Sequence, residues 1–216
     1  DRLCLLRFAG RLQRYTSPQF MQLLAQLGAR RAVVGHDFRF GHQGEASADW
    51  CARQGSQFGF EVEVVPPVLL DGERVSSRLI RDALATGDLS RAARLLGRNY
   101  SMRGRVRRGA QLGRQLGFPT VNVATHRRRV PLSGIFAVRV HLDDARGASL
   151  SAWPAVASLG TRPTVNGVEP LLEAFLFDFS GDLYGREIEV EFVAKLRDEM
   201  KFESLDPLVE QMHRDA

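Results

Sequence analysis

The sequence predicts an α/β unit over residues 1–98, followed by an all-β antiparallel barrel with a C-terminal helix over residues 99–216. Three observations carry this. Up to Arg98, short apolar runs alternate with stretches of helical spacing, the pattern of a parallel sheet covered by helices. From Tyr100 the apolar period changes to two, and Gly, Asp and Pro turns punctuate it. Near the C-terminus Leu205, Leu208, Val209 and Met212 fall on one helical face, which predicts one amphipathic helix over about 203–212.

In order, residues 3–8 form an apolar, strand-like run directly after Asp1, so the chain reads as entered part-way through a domain. Ser17 is a good N-cap and Pro18 a good first-turn residue for a helix carrying Phe20, Leu23, Leu24 and Leu27 and closed by Gly28. Residues 32–34 predict a buried strand, 46–57 a helix and 60–65 an alternating strand. Ser76 and Ser77 head another helix, and 87–98 a short one with Gly97 as its C-cap. Beyond the boundary, strands are expected at 101–106, 134–142, 150–159, 171–179 and 187–194.

Composition excludes several classes. With 44% hydrophobic residues the chain can build a packed core. Net charge is +5, and only Lys195 and Lys201 among the 30 basic residues are lysines. Arginine suits bidentate phosphate contacts. Residues 1–98 hold 14 basic and 10 acidic side chains and the remainder 16 and 15, so neither part carries the dense basic stripe of a nucleic-acid-binding domain. Arg127-Arg128-Arg129 is a solvated cluster to which no role is assigned. Cys4 and Cys51 lack zinc or disulfide-framework spacing, which suits a reducing cytoplasm. No apolar run reaches membrane-spanning length.

Residues 109–122, GAQLGRQLGFPTVN, combine flexible backbone with charge. Gly109, Gly113 and Gly117 permit close approach, and Arg108 and Arg114 add positive charge, which together suit a phosphate cradle. Thr120 and Asn122, two apart, point the same way on an extended segment and offer oxygens of the kind that suit Mg²⁺ held largely by nucleotide phosphates. The same residues are compatible with a glycine-rich hairpin running into a strand. The glycine spacing of 104–109 is followed by Ala110, so there is no Walker loop.

GRQLGFPTVN resembles the signature of riboflavin kinases, whose glycine-rich loop ends in a Pro-Thr-x-Asn tetrad that holds Mg·ATP. The likeness continues through residues 133–138, 160–164, 178–185 (DFSGDLYG) and 196–202 (LRDEMKF). It implies phosphorylation of riboflavin to FMN by ATP, with Gly109, Gly113, Arg114, Gly117, Thr120 and Asn122 at the nucleotide, Thr120 and Asn122 at Mg²⁺, and residues 104–117 wrapping the polyphosphate. Glu173, in the apolar run 171–177, occupies the position of the general base; from the residues alone it is equally the solvent face of a strand. Phe175 replaces the histidine of the usual Glu-x-His. Arg197 and Glu199 are the implied flavin contacts.

Upstream, GHDFRFG (residues 35–41) and VSSRLIR (75–81) resemble the GxDFxFG and (I/V)SSxxIR motifs of bacterial FMN adenylyltransferases, with Arg78 in place of a threonine. Asp37, Phe38, Ser76, Ser77 and Arg81 are the adenylyltransferase-like candidates, and residues 1–98 resemble part of that nucleotidyltransferase domain. The HxGH pattern of the family does not occur in these 216 residues. The resemblance therefore implies a bifunctional FAD synthetase whose adenylylation belongs to a full-length protein, with small molecules and neither nucleic acid nor membrane as partners. The alternative is a flavin- or nucleotide-binding remnant without catalysis.

Overall fold

The computed structural model describes residues 3, 5, 9, 10, 12–109, 113, 116–125, 127, 129–143, 149–164 and 167–216; of 143, 149–151, 162–164 and 167–169 it describes the backbone only. The strand expected at 3–8 lies largely outside the described residues. The chain divides into two compact units, Asp1–Arg74 and Val75–Ala216.

In the first unit, strands β1 (Arg31–Gly35) and β4 (Glu61–Val65) pair in parallel, as the alternation requires. Helix α1 (Ser17–Gln26) is capped one residue earlier than expected. The Thr16 hydroxyl accepts from the Gln19 amide, and the Gln19 side chain accepts from the Thr16 amide. Ser17 instead donates from its amide and hydroxyl to Glu45 Oε1, at 2.7 and 2.8 Å. The helix expected over 46–57 starts two residues later and finishes in a 3₁₀ turn. Ala46–Ser47 (β3) pairs with Arg39–Phe40 (β2), Ser47 Oγ accepts from the Trp50 amide to start α2 (Ala48–Gln54), and a 3₁₀ turn over Gly55–Phe58 ends it. A hairpin of β5 (Leu69–Leu70) and β6 (Glu73–Arg74) turns through Asp71-Gly72, both at positive φ. The core is small: Met21, Phe40, Ala46, Cys51 and Phe60 are buried together.

In the second unit, helices α3 (Ser77–Ala85) and α4 (Leu89–Leu96) precede six strands: β7 (Ser101–Arg107), β8 (Val121–Ala124), β9 (Gly134–Asp143), β10 (Ser149–Thr164), β11 (Gly167–Leu176) and β12 (Glu187–Arg197). These close into an antiparallel barrel in the order β10-β11-β8-β7-β12-β9, followed by a helix over Leu205–Asp215. Strand β8 is the one not separated out in the sequence, because its four residues continue the glycine-rich stretch. Gly104, expected in the phosphate loop, lies within β7, where a side chain would collide with the Ala124 carbonyl.

Period-two burial fills the barrel. Leu172, Ala174 and Leu176 point in from β11, and Val138, Val140 and Leu142 from β9, while Phe136 and Phe192 meet edge-on at 5.2 Å. Ala83, Leu84, Leu89 and Ala92 of α3 and α4 join this same buried cluster. Asp88 caps α4 by accepting from the Arg91 amide at 2.9 Å, and Gly97, at φ 72°, ends it.

Candidate functional site

Because Leu172 and Ala174 face the interior, Glu173 between them emerges on the outer surface of the barrel. Its neighbours follow from register. Asn122 on β8 sits opposite Glu173, and Ser158 on β10 flanks it on the other side. The row continues in both directions, Arg107 opposite Asn122, Ile135 opposite Ser158, and Arg197 opposite Ile135, so one row of residues runs round all six strands. Directly opposed side chains lie about 5 Å apart at their Cβ atoms. A general-base candidate and an amide ligand candidate, 51 positions apart in sequence, are thus brought side by side.

Over this row lies a cavity of about 570 Å³. Thr120, Asn122, Glu173, Arg197 and Glu199 all line it, with Gly113 at its rim and Leu208 and Met212 of the C-terminal helix as apolar wall. Gly109 is tied to the same place, since a Cβ there would collide with the Asn122 amide. Gly117, at φ 85°, belongs to a second cavity of about 710 Å³ with Arg108, Pro119, Asp178, Asp182 and Tyr184. Arg108 stacks over the Tyr184 ring at 5.1 Å. These acidic and aromatic residues fall in the DFSGDLYG motif, so the sequence signal was present although no individual role was read from it. Arg114 lies outside the described residues.

Two electrostatic arrangements shape the first cavity. Arg197 donates from Nε and Nη2 to the Asp215 carboxylate, at 2.9 and 2.6 Å, and from Nη1 to the Asp198 carbonyl at 3.0 Å. Burial pushes the Asp215 carboxyl up, but hydrogen bonds from Arg197 and Gln211 outweigh it and hold the group below the usual range. Arg197, expected as a flavin contact, thereby ties the C-terminal helix to β12. Glu199 is seated over Gly160, where a Cβ would take the space of its carboxylate.

The adenylyltransferase-like residues take local roles and are divided between the two units. Phe38 stacks on Phe40 at 5.4 Å in the first unit's core, and exposed Asp37 accepts from Arg74. That hydrogen bond holds the Asp37 carboxyl below its ordinary value. In the second unit the Ser76 hydroxyl accepts from the Leu79 amide at 3.3 Å, Ser77 opens α3, and Arg81 is exposed along it.

A closed six-stranded barrel carrying two adjoining cavities, preceded by a parallel α/β unit, defines a two-part chain whose second part can hold small molecules. Comparison with known proteins sharpens this. The riboflavin kinase family model matches residues 96–216, and the FAD synthetase model matches residues 1–79. The bifunctional riboflavin kinase/FMN adenylyltransferase of Pseudomonas fluorescens is 44% identical over 219 residues, covering all of this chain and 68% of that protein. Its counterpart in Escherichia coli K12 is 39% identical over 217 residues, with the same coverage. A solved structure described as a macrolide-efflux protein from Streptococcus pneumoniae superposes with a TM-score of 0.75 at 32% identity, over 96% of this chain and 66% of that one. No described helix here is long and apolar enough to cross a membrane.

The chain belongs to the riboflavin kinase family, with the FAD synthetase region ahead of the barrel, and it spans about two thirds of the length of these bifunctional relatives.

Proposed function

We propose that this chain transfers the γ-phosphoryl group of ATP to the terminal ribityl hydroxyl of riboflavin, giving FMN and ADP, with residues 99–216 as the kinase domain. The observation that carries the site assignment is the placement of Asn122 directly opposite Glu173 beneath a cavity walled by the C-terminal helix. The more apolar cavity, with Leu208, Met212, Met200 and Phe202, suits the isoalloxazine ring; the one with Arg108 and Gly117 suits the nucleotide. Thr120 lines both, as a residue at the transferred phosphoryl group would.

Glu173 would accept the hydroxyl proton as the ribityl oxygen bonds to phosphorus and the bond to the β–γ bridging oxygen breaks. Thr120 and Asn122 would hold Mg²⁺ through neutral oxygens. Bound with the nucleotide, Mg²⁺ supplies charge neutralisation. Leu208 and Met212 of the C-terminal helix would wall the cavity in which the hydroxyl meets Glu173.

We further propose that residues 1–98 belong to the FMN adenylyltransferase half of a bifunctional, cytoplasmic FAD synthetase, and that adenylylation needs HxGH residues not found in these 216. The test is incubation with riboflavin, ATP and Mg²⁺ followed by chromatography of the flavins. FMN without FAD is the expected result. FAD as well would mean a complete second site, and riboflavin binding without product would reduce the chain to a flavin-binding remnant.

A further inference from the structure

Phe175 lies two residues beyond Glu173 on β11, and so leaves the strand on the same outer face. Among the described residues, only Thr120 and Phe175 line both cavities, so this ring stands at the boundary the two share. The ring is fixed from two sides. Phe118, itself buried, meets it edge-on at 5.2 Å, and Phe177 does so at 5.6 Å. Phe118 is in turn packed against His213 of the C-terminal helix at 4.8 Å, so the aromatic cluster links the barrel face to the cavity wall.

We propose that Phe175 is the partition that keeps water out of the phosphoryl-transfer passage, and so enforces the choice of the riboflavin hydroxyl over water as acceptor. This rests on the reading of the two cavities as nucleotide and riboflavin sites. The discrimination is needed because the chemistry alone does not supply it. With either acceptor an oxygen bonds to the γ-phosphorus, the bond to the β–γ bridging oxygen breaks, ADP leaves and the acceptor proton passes to Glu173. The alcohol yields FMN, water yields inorganic phosphate, and a carboxylate that deprotonates one deprotonates the other. Selection must come from which oxygen can reside beside Glu173. The Phe175 ring, two residues along the strand from Glu173 and lining the same cavity, offers water no hydrogen-bond partner, whereas the riboflavin chain is held from the apolar part of that cavity.

The experiment measures ADP and FMN in the same incubation for the full chain and for Phe175→Leu, Phe175→Val and Phe175→Ala. The unaltered chain is expected to release one ADP per FMN and little ADP without riboflavin. The excess of ADP should grow in the order Leu, Val, Ala, reaching about threefold or more over FMN for Phe175→Ala as the space beside Glu173 fills with water. ADP per FMN staying at the original value in all three variants overturns the proposal, as does loss of FMN in all three without excess ADP. If Phe175→Ala alone is inactive, the Leu and Val variants decide by the same ratio. Failure of the unaltered chain to make FMN overturns the underlying kinase reading instead.

Discussion

The two compact units handle the same problem, a sheet whose backbone must be paired and whose apolar face must be covered, in opposite ways. The barrel of Val75–Ala216 closes on itself and has no edge. In Asp1–Arg74 the parallel sheet of β1 and β4 has two strands among the described residues, and Val33 and Val65 on one of its faces are 60% and 41% exposed. Closure decides what each unit can do with its motif residues. In the barrel, register carries residues from all six strands into one row, and candidates read separately in the sequence become neighbours. In the first unit Asp37 and Phe38 spend their side chains on an ion pair and an aromatic stack.

The sharpest break of this contrast is Glu173→Gln, which keeps the side chain's size and removes the proton acceptor. Turnover should fall by about 10²–10⁴-fold with riboflavin affinity little changed, measured by single-turnover FMN formation and by quenching of flavin fluorescence. Near-normal turnover would mean that the row beneath the cavity is only structural.

Next in size is a comparison of cores. Met21→Ala empties a fully buried position in the first unit, and Phe136→Ala does the same inside the barrel. Each should cost about 2–5 kcal/mol in denaturant unfolding. Only Phe136→Ala is expected to lower FMN formation; equal loss with Met21→Ala would show that the barrel depends on the first unit.

Much of this was legible because closed barrels are locally regular. Period-two alternation marks their strands, and Gly97 and Asp88 announce the boundaries of α4. Strand β8 was not separable, since four residues give too little period to count. The helix expected over 46–57 forms but begins two residues late, because Ala46 and Ser47 pair with β2 and the Ser47 hydroxyl then caps α2. Glu173 and Asn122 were each recognisable, but their adjacency depends on strand order, which local pattern does not contain. The Asp215 partner of Arg197 left no signal at all, being 18 residues away across a turn.

A smaller effect tests the role of Glu199 without touching it. In Gly160→Ala the new methyl takes the space of the Glu199 carboxylate, whose flexible end can move aside. If Glu199 orients the flavin, KM for riboflavin should rise by roughly fivefold, the value of about 1 kcal/mol for one hydrogen bond, with KM for ATP unchanged. A rise in both would point to disturbance of β10 itself.

The smallest effect is also the most specific to the cavity wall. The Asp215 carboxyl is held below its ordinary value in the folded chain, so its ion pair with Arg197 contributes fully above the unfolded aspartate pKa, about 3.9, and is lost as pH falls through the lower folded value. Docking of the C-terminal helix, and with it riboflavin affinity, should therefore hold unchanged from neutrality down to about that pH and weaken only below it. Asp215→Asn removes the titrating group. It should bind riboflavin a few-fold more weakly at neutral pH and converge on the unaltered chain in acid, because both then present a neutral partner to Arg197. Parallel curves that never converge would mean that Asp215 supports the helix by shape alone, and that the wall over the catalytic row is set by Leu208 and Met212.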